Sequence, residues 1–536
     1  MRAALLAALL VTLGAASAPR LTLTAHVPDV VESGIARAVG VPAPTQLMEL
    51  AISLPLRNES DLRRQLNALY DPANPAFRQY LSAAEFTARY GPSAADYNAL
   101  ERFAVAHHLQ AHAPAANRRV LDVEGTVADV ERAFHVTLRW YRHPTEGRNF
   151  FAPDREPTLD LDLPVLHISG LDDYVLPYAH LVRGNPLGSD GHPPTGSGPD
   201  GNFIGSDIRA AYYGGSALTG TGQSVGLFEY AGYNLADVTK YFASVGQALN
   251  VPIVGVSLNG ANPNCRVPKC DDGEQALDIE EAISMAPGLK QVVVYVGHRG
   301  ESILNQMASD DTSKQLSCSW GWDPNPTVLD PIFEEFAAQG QTFVVATGDD
   351  GYHLKQGVVW PADDQLVTAV GGTDLTTAGP GGPWQAEIGW SYSGGGPSPD
   401  EIAIPAYQVP FINAKNAGST KLRNVPDIAG DADTDNYSCY DLGCWTGNGG
   451  TSYAAPVWAG YIALANELAA ASDRPPVGFL NPTLYSLGAN SKYPTLFHDE
   501  VIGFNGKYYA VKGFDLVTGF GSPNGDALLK ALVSGH

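Results

Sequence analysis

The chain is poor in basic residues and, beyond its first residues, in long apolar runs, and each shortage excludes a class of protein. Its 33 Lys and Arg are outnumbered by 57 Asp and Glu, which gives a net charge of −24 over 536 residues. A surface of that sign repels nucleic acid, so no nucleic-acid partner is expected. No later segment reaches the roughly 18 continuous apolar residues of a membrane span, so no span is expected either.

The long apolar run that is present lies at the N-terminus. Met1 and Arg2 precede the apolar residues 3–16, and small residues follow up to Ala18. One positive charge, a short apolar core and a small-residue cleavage site are typical of a secretory signal, with a buried helix as the alternative. We therefore predict a signal peptide over residues 1–18 and a secreted, extracellular protein.

Cysteine is also scarce, with five in the chain. Two close pairs lie in polar loops, Cys265 with Cys270 and Cys439 with Cys444, and an exported chain can form disulfides. The sequence leaves open whether either pair is bridged. Cys318 lies in an apolar run and is predicted to be a buried free thiol. No cluster of Cys and His supplies the about four ligands that zinc needs, so no zinc site is expected.

Length and pattern predict two folded units joined by a linker. A single core stops growing at about 250–300 residues, which is too short for this chain. Residues 19–183 mix strand-like alternation with helical patterns and predict an α+β domain. Residues 184–202 are rich in Gly, Pro, Ser and Asp. That composition predicts a flexible linker that proteases can cleave.

Residues 203–536 are predicted to form an α/β domain with a mainly parallel sheet. Short apolar runs alternate there with helical segments, which is typical of parallel strands covered by helices on both faces. These runs are 224–230, 251–258, 291–297, 314–320, 342–348 and 365–372. In such a sheet, ligand chemistry belongs at the carboxyl ends of the strands.

Ser452 is the candidate nucleophile. It follows Gly450 and Thr451 and precedes an Ala-rich helical pattern, so backbone N–H groups and the positive end of a helix dipole lie beside it. A serine that only caps the helix is the alternative. A serine nucleophile needs a base, and none of the 13 histidines lies in an H-G-T sequence, the setting of the base in subtilisin-type enzymes.

Carboxyl groups offer a different base. Glu274 and Asp278 lie four residues apart in a helical pattern, so both face one side, share a proton and have separated pKa values. Asp349 follows an apolar strand, at the edge where such sheets place their chemistry, although a turn aspartate is the alternative. Glu280 and Glu281 of the same helix are expected on a solvated face.

Assembled in order, these segments resemble the sedolisins, the serine-carboxyl peptidases, over nearly all of the chain after residue 18. Residues 71–93 resemble the prodomain of that family. The matching motifs of the catalytic part are GEQALDIEEA (273–282), SCSWG (317–321), ATGDDG (346–351), WSYSGGGPS (390–398), VPDIAGDAD (425–433) and GGTSYAAPVWAG (449–460). Such an ordered set is far more specific than any one of its members.

The resemblance implies a subtilisin-like catalytic domain over residues 203–536 and a ferredoxin-like inhibitory prodomain over residues 19–183. It implies an endopeptidase that hydrolyses polypeptides through an acyl-enzyme and processes itself within or near residues 184–206. The chain is expected to act as a monomer with its own prodomain as intramolecular inhibitor. The roles implied are Ser452 as nucleophile, Glu274 as general base, Asp278 as its orienter, Asp349 as oxyanion-hole acid, Glu229 and Trp320 as supporting residues, and Ser393, Gly394 and Gly395 as the edge that pairs with substrate.

A carboxylate base implies activity in acid, roughly between pH 3 and 5, because a Glu with a reference pKa of about 4.3 can still accept a proton there. A histidine base would already be protonated. The resemblance also implies one calcium ion near the C-terminus. Asp499 and Asp515 would bind it through side chains, and Glu500, Val511 and Gly513 through carbonyl oxygens.

Three other functions remain possible at this point. The chain could be a conventional subtilisin-like enzyme with another base, a binding module that kept the fold without catalysis, or an exopeptidase that releases tripeptides. A pH profile tests the first alternative, because a histidine-based enzyme is active near neutral pH. Active-site labelling tests the second. Mapping of the peptides from digested casein tests the third.

Overall fold

The computed structural model describes residues 21–184, 194–352 and 359–535. The predicted signal peptide and linker residues 185–193 lie outside these ranges. Within them, no helix combines the length and the apolar composition that crossing a bilayer requires.

The N-terminal unit is an α+β domain built on antiparallel strands. Its helices are α1 (Asp29–Glu32), α2 (Glu59–Leu69), α3 (Ala83–Arg89), α4 (Ala94–Ala106) and α5 (Val127–Phe134). Its strands are β1 (Leu21–Thr22), β2 (Arg37–Gly40), β3 (Leu47–Ser53), β4 (Gln110–Ala111), β5 (Val120–Thr126), β6 (Leu138–Arg142), β7 (Asn149–Pro153), β8 (Thr158–Leu159), β9 (His167–Ser169) and β10 (Tyr178–Ala179).

The main sheet of this unit has the order β4-β5-β3-β9. Alternation along the strands gives it two different faces. Leu50 and Val123 are buried against α4 and α5, whereas Glu49 and Asp122 point to the other face. The hydroxyls of Ser93 and Thr126 cap α4 and α5 by accepting from backbone N–H groups of the first turn.

The C-terminal unit is the predicted α/β domain. Its helices are α6 (Gly205–Tyr212), α7 (Leu235–Ser244), α8 (Gly273–Met285), α9 (Gly300–Asp310), α10 (Pro326–Gln339), α11 (Thr451–Ala471), α12 (Asn481–Gly488) and α13 (Gly525–Ser534). Its strands are β11 (Ser224–Glu229), β12 (Ile253–Ser257), β13 (Gln291–Val296), β14 (Gln315–Cys318), β15 (Trp320–Gly321), β16 (Thr342–Ala346), β17 (Thr368–Thr377), β18 (Trp384–Gly389), β19 (Gly396–Pro397), β20 (Asn424–Val425), β21 (Ile428–Asp431), β22 (Asn436–Ser438), β23 (Trp445–Asn448), β24 (Phe497–His498) and β25 (Ser522–Pro523).

All six apolar runs form strands of one sheet in the order β12-β13-β11-β14-β16-β17, paired in parallel. Strand β21 continues the parallel pairing on β17, and β18 pairs with β17 antiparallel. Helices α8 and α11 pack on the face that buries Val225 and Leu227, while α9 and α10 pack on the face that buries Phe228. The predicted mainly parallel sheet with helices on both faces is confirmed.

The N-terminal unit packs on α9 and α10 through polar as well as apolar contacts. Asp122, on the outer face of its sheet, accepts a hydrogen bond from the hydroxyl of Ser302. The amide of Asn117 donates to Asn305 and Glu335 at 2.9 and 3.1 Å. These contacts hold the N-terminal unit against the helices that cover one face of the parallel sheet.

Both cysteine pairs are bridged, Cys265 with Cys270 and Cys439 with Cys444, and Cys318 is a buried free thiol as predicted. Part of the predicted flexible linker differs from expectation. The backbone N–H and the hydroxyl of Ser197 donate to Asp207 at 2.7 and 2.6 Å. Residues 194–202 are therefore held against the C-terminal unit.

Candidate active site

Strand order brings the predicted site residues together. Strands β11, β14 and β16 are consecutive in the sheet. Glu229 is the last residue of β11, Trp320 closely follows β14, and Asp349 closely follows β16. The carboxyl ends of parallel strands share one edge, so these side chains meet at the edge where the sequence places the chemistry.

Helix α8 presents Glu274 and Asp278 one turn apart at this edge, and both are buried. Oδ1 of Asp278 accepts a hydrogen bond from the hydroxyl of Ser319 at 2.8 Å. Oε2 of Glu229 accepts from the indole N–H of Trp320 at 2.9 Å. Glu229 and Asp278 thus accept one of these hydrogen bonds each, and Glu274 accepts neither of them.

The carboxyl groups of this cluster hold protons strongly. Burial raises the pKa of Asp278 to about 8, against the hydrogen bond from Ser319. Burial and the neighbouring charges of Asp278 and Glu274 raise the pKa of Glu229. Burial and the charge of Asp278 raise the pKa of Glu274. The three groups therefore titrate as one unit that carries little negative charge in acid.

Ser452 lies in the first turn of α11, directly after Thr451. Its hydroxyl lies beside Glu274 and lowers the pKa of that carboxyl, although burial outweighs this effect. Neither Ser452 Oγ nor either Glu274 oxygen has a partner within hydrogen-bond geometry among the described residues. The Ser452 hydroxyl and the Glu274 carboxyl are therefore adjacent, and neither is bonded to another described group.

Asp349 faces the start of the same helix. One of its oxygens accepts from the N–H of Thr451 at 2.7 Å and from its hydroxyl at 2.9 Å. Burial raises the pKa of Asp349 to about 7, so the group is a neutral hydrogen-bond donor in acid. A Cβ on Gly450 would stand 2.6 Å from the other Asp349 oxygen, and φ of Gly450 is +118°, so only glycine suits this position.

A segment of the chain itself runs through the cleft between these residues. Tyr178 and Ala179 pair antiparallel with Gly321 and Trp320. Farther along, Val182 and Gly449 exchange two backbone hydrogen bonds, of 2.9 and 3.0 Å. The segment is thus extended and paired on both sides of the serine, which is the usual pose of a peptide substrate in a protease.

His180 is the residue of this segment nearest the serine. Its carbonyl oxygen accepts from the N–H of Ser452 at 3.4 Å. The same oxygen lies 2.2 Å from the point where a Cβ on Gly450 would stand, the point that Asp349 also approaches. The backbone N–H of His180 donates to the Ser319 carbonyl at 3.0 Å. The His180 carbonyl therefore occupies the space that an attacked carbonyl group needs.

The imidazole of His180 is enclosed between backbone and apolar atoms. A Cβ on Gly321 would stand 3.2 Å from His180 Nε2, and one on Gly348 would stand 3.7 Å from His180 Cε1. Burial lowers the pKa of His180 to about 3, so the ring is neutral in this pocket. Its Nε2 has no hydrogen-bond partner among the described residues, which rules it out as a base that activates Ser452 here.

The predicted substrate edge at Ser393, Gly394 and Gly395 has a different environment. The Ser393 hydroxyl donates to the carbonyl of Val517 and accepts from the N–H of Gly372, both at 2.8 Å. The N–H of Gly394 donates to the carbonyl of Gly348 at 2.8 Å. The segment in the cleft pairs with Trp320–Gly321 and Gly449 instead, so substrate pairing by residues 393–395 stays a prediction.

The expectation that Glu280 and Glu281 are solvated is wrong. Both are buried, because α8 is enclosed by α6, α7 and β22 as well as by α11. Glu280 accepts from the N–H of Cys439 at 3.3 Å. Burial and the charge of Asp207 raise the pKa of Glu281 to about 8. The helix is thus acidic on its buried sides.

The loops implied to bind calcium contain buried oxygen donors. Asp515 accepts from the N–H groups of Val511, Val517 and Thr518, each at 2.8 Å. Asp499 accepts from the N–H of Gly513 at 2.9 Å. No backbone hydrogen bond between described residues ends on the carbonyls of Glu500, Val511 and Gly513.

This donor set fits a calcium ion. Burial raises the pKa of Asp515 to about 7. Burial and the charge of Glu387 raise the pKa of Glu500. Within the described ranges, no three His, Cys, Asp or Glu side chains are arranged to hold a metal ion. The implied site needs only two carboxylates, and carbonyl oxygens complete a shell of the hard donors that calcium prefers.

The chain resembles known proteins over most of its length. Residues 36–174 match the family described as Pro-kumamolisin, activation domain. Kumamolisin from Bacillus sp. (strain MN-32) is 33% identical over 502 residues, which cover 86% of this chain and 87% of that protein. Tripeptidyl-peptidase 1 from Dictyostelium discoideum is 31% identical over 290 residues, 48% of this chain and 46% of that protein.

A solved structure is similar as well. Pseudomonas sedolisin, a serine-carboxyl proteinase complexed with two molecules of pseudo-iodotyrostatin, aligns with a TM-score of 0.55 and 26% sequence identity. The alignment covers 64% of this chain and 99% of that one.

Proposed function

Because this chain belongs to the sedolisin family of serine-carboxyl peptidases, we propose that it is a secreted, acid-active serine endopeptidase made as a self-processing zymogen. The observation that carries the proposal is the path of residues 178–183 through the cleft, with the His180 carbonyl bonded to the N–H of Ser452. A chain that continues on both sides of the attacked carbonyl is the substrate of an endopeptidase.

The geometry supports a Ser–Glu–Asp mechanism. Ser452 Oγ attacks the carbonyl carbon while Glu274 accepts its proton, and Asp278 orients Glu274 and holds a second proton of the cluster. The N–H of Ser452 and the protonated carboxyl of Asp349 donate hydrogen bonds to the developing oxyanion. Glu274 then gives its proton to the leaving amine, and a water molecule repeats the sequence on the acyl-enzyme.

We assign Glu229 and Trp320 an indirect role, through their contacts with Asp278. The indole N–H of Trp320 fixes Glu229, which lies against Asp278. Residues 178–183 also cover this cluster, and Arg183 adds a positive charge that lowers the pKa of Glu274. When the segment leaves, water reaches Glu274, the penalty for its ionised form falls, and it becomes a better base.

We assign the first processing cut to the bond between His180 and Leu181, just ahead of the region expected from the linker composition. The test compares purified wild type with Ser452→Ala after a shift to acid, by intact mass and N-terminal sequencing. Wild type should give a new N-terminus at Leu181 and the variant should stay uncut. A first cut elsewhere would overturn the bond assignment, and processing of the purified variant would overturn self-processing.

The endopeptidase assignment has its own test. Processed enzyme is given one peptide with a free N-terminus and the same peptide acetylated. An endopeptidase cuts both at the same internal bond, whereas a tripeptide-releasing exopeptidase cuts only the free form and removes three residues. Fluorophosphonate labelling that depends on Ser452 excludes a non-catalytic binding protein.

We also propose that the loops around Asp499 and Asp515 hold one calcium ion, with the carbonyls of Glu500, Val511 and Gly513. The ion would join two loops by neutralising buried carboxylates, and it takes no part in catalysis. Unpaired carbonyls and buried acids support this assignment. Secretion rests on the signal sequence alone and is tested by the N-terminus of the exported zymogen.

A further inference from the structure

The segment in the cleft ends in a cation that is held by the catalytic unit. Arg183 is the third residue after the proposed cut, and it forms ion pairs with Asp271 and Asp441. The Arg183–Asp441 distance is 3.4 Å. The guanidinium carbon also lies 4.8 Å above the centre of the Tyr440 ring, within the range of a cation–π contact.

One of the two acidic residues follows a disulfide-closed turn, and the other lies within the second such turn. Asp271 directly follows Cys270, and Asp441 lies between Cys439 and Cys444. Asp272 connects these loops by accepting from the N–H of Asp441 at 2.9 Å. The short covalent rings and this hydrogen bond hold the two carboxylates on either side of one cation, so the site is built before a substrate arrives.

The position of this site follows from the extended path of the segment. Side chains alternate along an extended chain, so Leu181 and Arg183 point to one side. Both approach Gly273, where a Cβ would stand 3.0 Å from Leu181 and closer still to Arg183. A substrate in the same pose places its third residue after the cut beside Asp271, Asp441 and Tyr440.

We propose that this site selects polypeptide substrates with Arg or Lys at the third position after the cleaved bond. The proposal rests on the function proposed above, since it takes residues 178–183 as a substrate. Arginine should be preferred over lysine, because a planar guanidinium can contact both carboxylates while it stacks on Tyr440. An acidic residue at that position should be rejected by the two carboxylates.

The two carboxyl groups of this site hold their protons differently. Burial acts to raise the pKa of Asp271, but the hydrogen bond and charge of Arg183 and the N–H of Gly273 lower it overall. Burial and the charge of Asp271 raise the pKa of Asp441. With a cation bound, Asp271 therefore keeps its charge to a lower pH than Asp441, and it should contribute more.

The test uses mature enzyme and peptides of the sequence Tyr-Ala-His-Leu-Val-Xaa with blocked ends, where Xaa is Arg, Lys, Ala or Asp. At low ionic strength and a pH of about 4.5, near the reference pKa of Glu, kcat/KM should be about fivefold to tenfold higher for Arg than for Ala. Added salt should reduce this ratio, because the cation and Asp271 are partly exposed.

Variants separate a subsite from a general effect. Asp271→Asn with Asp441→Asn should reduce the Arg-to-Ala ratio to about one, while Asp526→Asn, which removes an exposed ion pair with Lys530, should keep it. Asp271→Lys should reverse the order so that the Asp peptide is cut faster than the Arg peptide. Such a gain cannot result from misfolding.

The outcomes distinguish this proposal from the one that it rests on. If none of the peptides is cut at any pH, the proposed function fails. If all four peptides are cut at equal rates, or if Asp271→Lys leaves the order of their cleavage rates unchanged, the basic-residue subsite is overturned. The proposed peptidase function is then retained.

Discussion

Two of the places where buried carboxyl groups meet in the catalytic unit treat those groups differently. At the end of the parallel sheet, Glu229 and Asp278 accept one side-chain hydrogen bond each, from Trp320 and Ser319. In the C-terminal loops, Asp515 alone accepts three backbone N–H groups. The first arrangement favours carboxyl groups that keep their protons. At Asp515 the three N–H groups partly offset the burial that raises its pKa to about 7, and a bound cation would favour the carboxylate further.

This comparison shows two ways in which one domain can accommodate buried acidic residues. Protons neutralise the cluster to which we assign the chemistry, so its charge state follows pH. A bound metal ion would neutralise the cluster in the loops, so its charge state follows calcium. The following experiments test this difference first at the catalytic cluster, then at the calcium loops, and last at a buried acid outside both.

The largest effect is expected from the catalytic carboxyl groups. Asp349→Asn alters the oxyanion donor and should lower kcat/KM by about 10²–10³-fold. Glu274→Gln removes the base and should lower kcat/KM by at least about 10²-fold. Both substitutions preserve shape, so thermal unfolding should confirm intact folding and an unchanged response to calcium. A variant that kept most of the wild-type rate would remove its residue from the mechanism.

The pH profile should show the same cluster losing its protons. Burial raises the pKa of Asp349 to about 7 and that of Asp278 to about 8. Both groups are neutral below these values and become charged as pH rises, which removes the oxyanion donor and repels the developing negative charge. The kcat/KM of processed enzyme should therefore be highest in acid and fall by about tenfold per pH unit as each required proton is lost. A neutral optimum would contradict the carboxylate mechanism.

Calcium should act on stability and leave the pH profile of activity in place. An ion that binds the folded state alone adds about 2.7 kcal/mol at a hundredfold excess over its Kd. Chelation should lower the melting temperature of wild type, and Asp515→Ala should remove that response. Elemental analysis that finds no metal, together with a melting temperature unaffected by chelator, would disprove the site.

A smaller effect is expected at Glu281, a buried acid without a catalytic role. Burial raises its pKa to about 8, above its value in the unfolded chain. Its contribution is complete below the unfolded pKa and is lost as pH rises toward 8, so the melting temperature of mature enzyme should fall over that range. Glu281→Gln should reduce the fall without lowering the rate in acid. An unchanged slope would show that other groups cause it.

Much of the fold could be predicted because its signals are local. Val-rich and Ile-rich runs that are buried on both faces specify parallel strands, and glycines before Ser452 specify the start of a helix. The ordered motifs then assigned Ser452, Glu274, Asp278 and Asp349, which the fold brings together.

The parts that could not be predicted depend on contacts between distant segments. His180 has no distinctive neighbours in sequence, and only the pairing of residues 178–179 with Gly321 and Trp320 reveals its place. Charged residues such as Glu281 usually indicate solvent, and a single helix cannot show that others enclose it. Asp271 and Asp441 are 170 positions apart and meet only around Arg183.

In the self-processing that we propose, the covalent link between the enzyme and its cleft segment determines the kinetic order of the activation reaction. Residues 178–183 fill the cleft of the molecule to which they belong, so the local concentration of the first substrate does not depend on dilution. One zymogen molecule cannot cut the His180–Leu181 bond of another, because each cleft is filled by the segment of its own chain. The first cut should therefore follow first-order kinetics, with one half-time at every protein concentration.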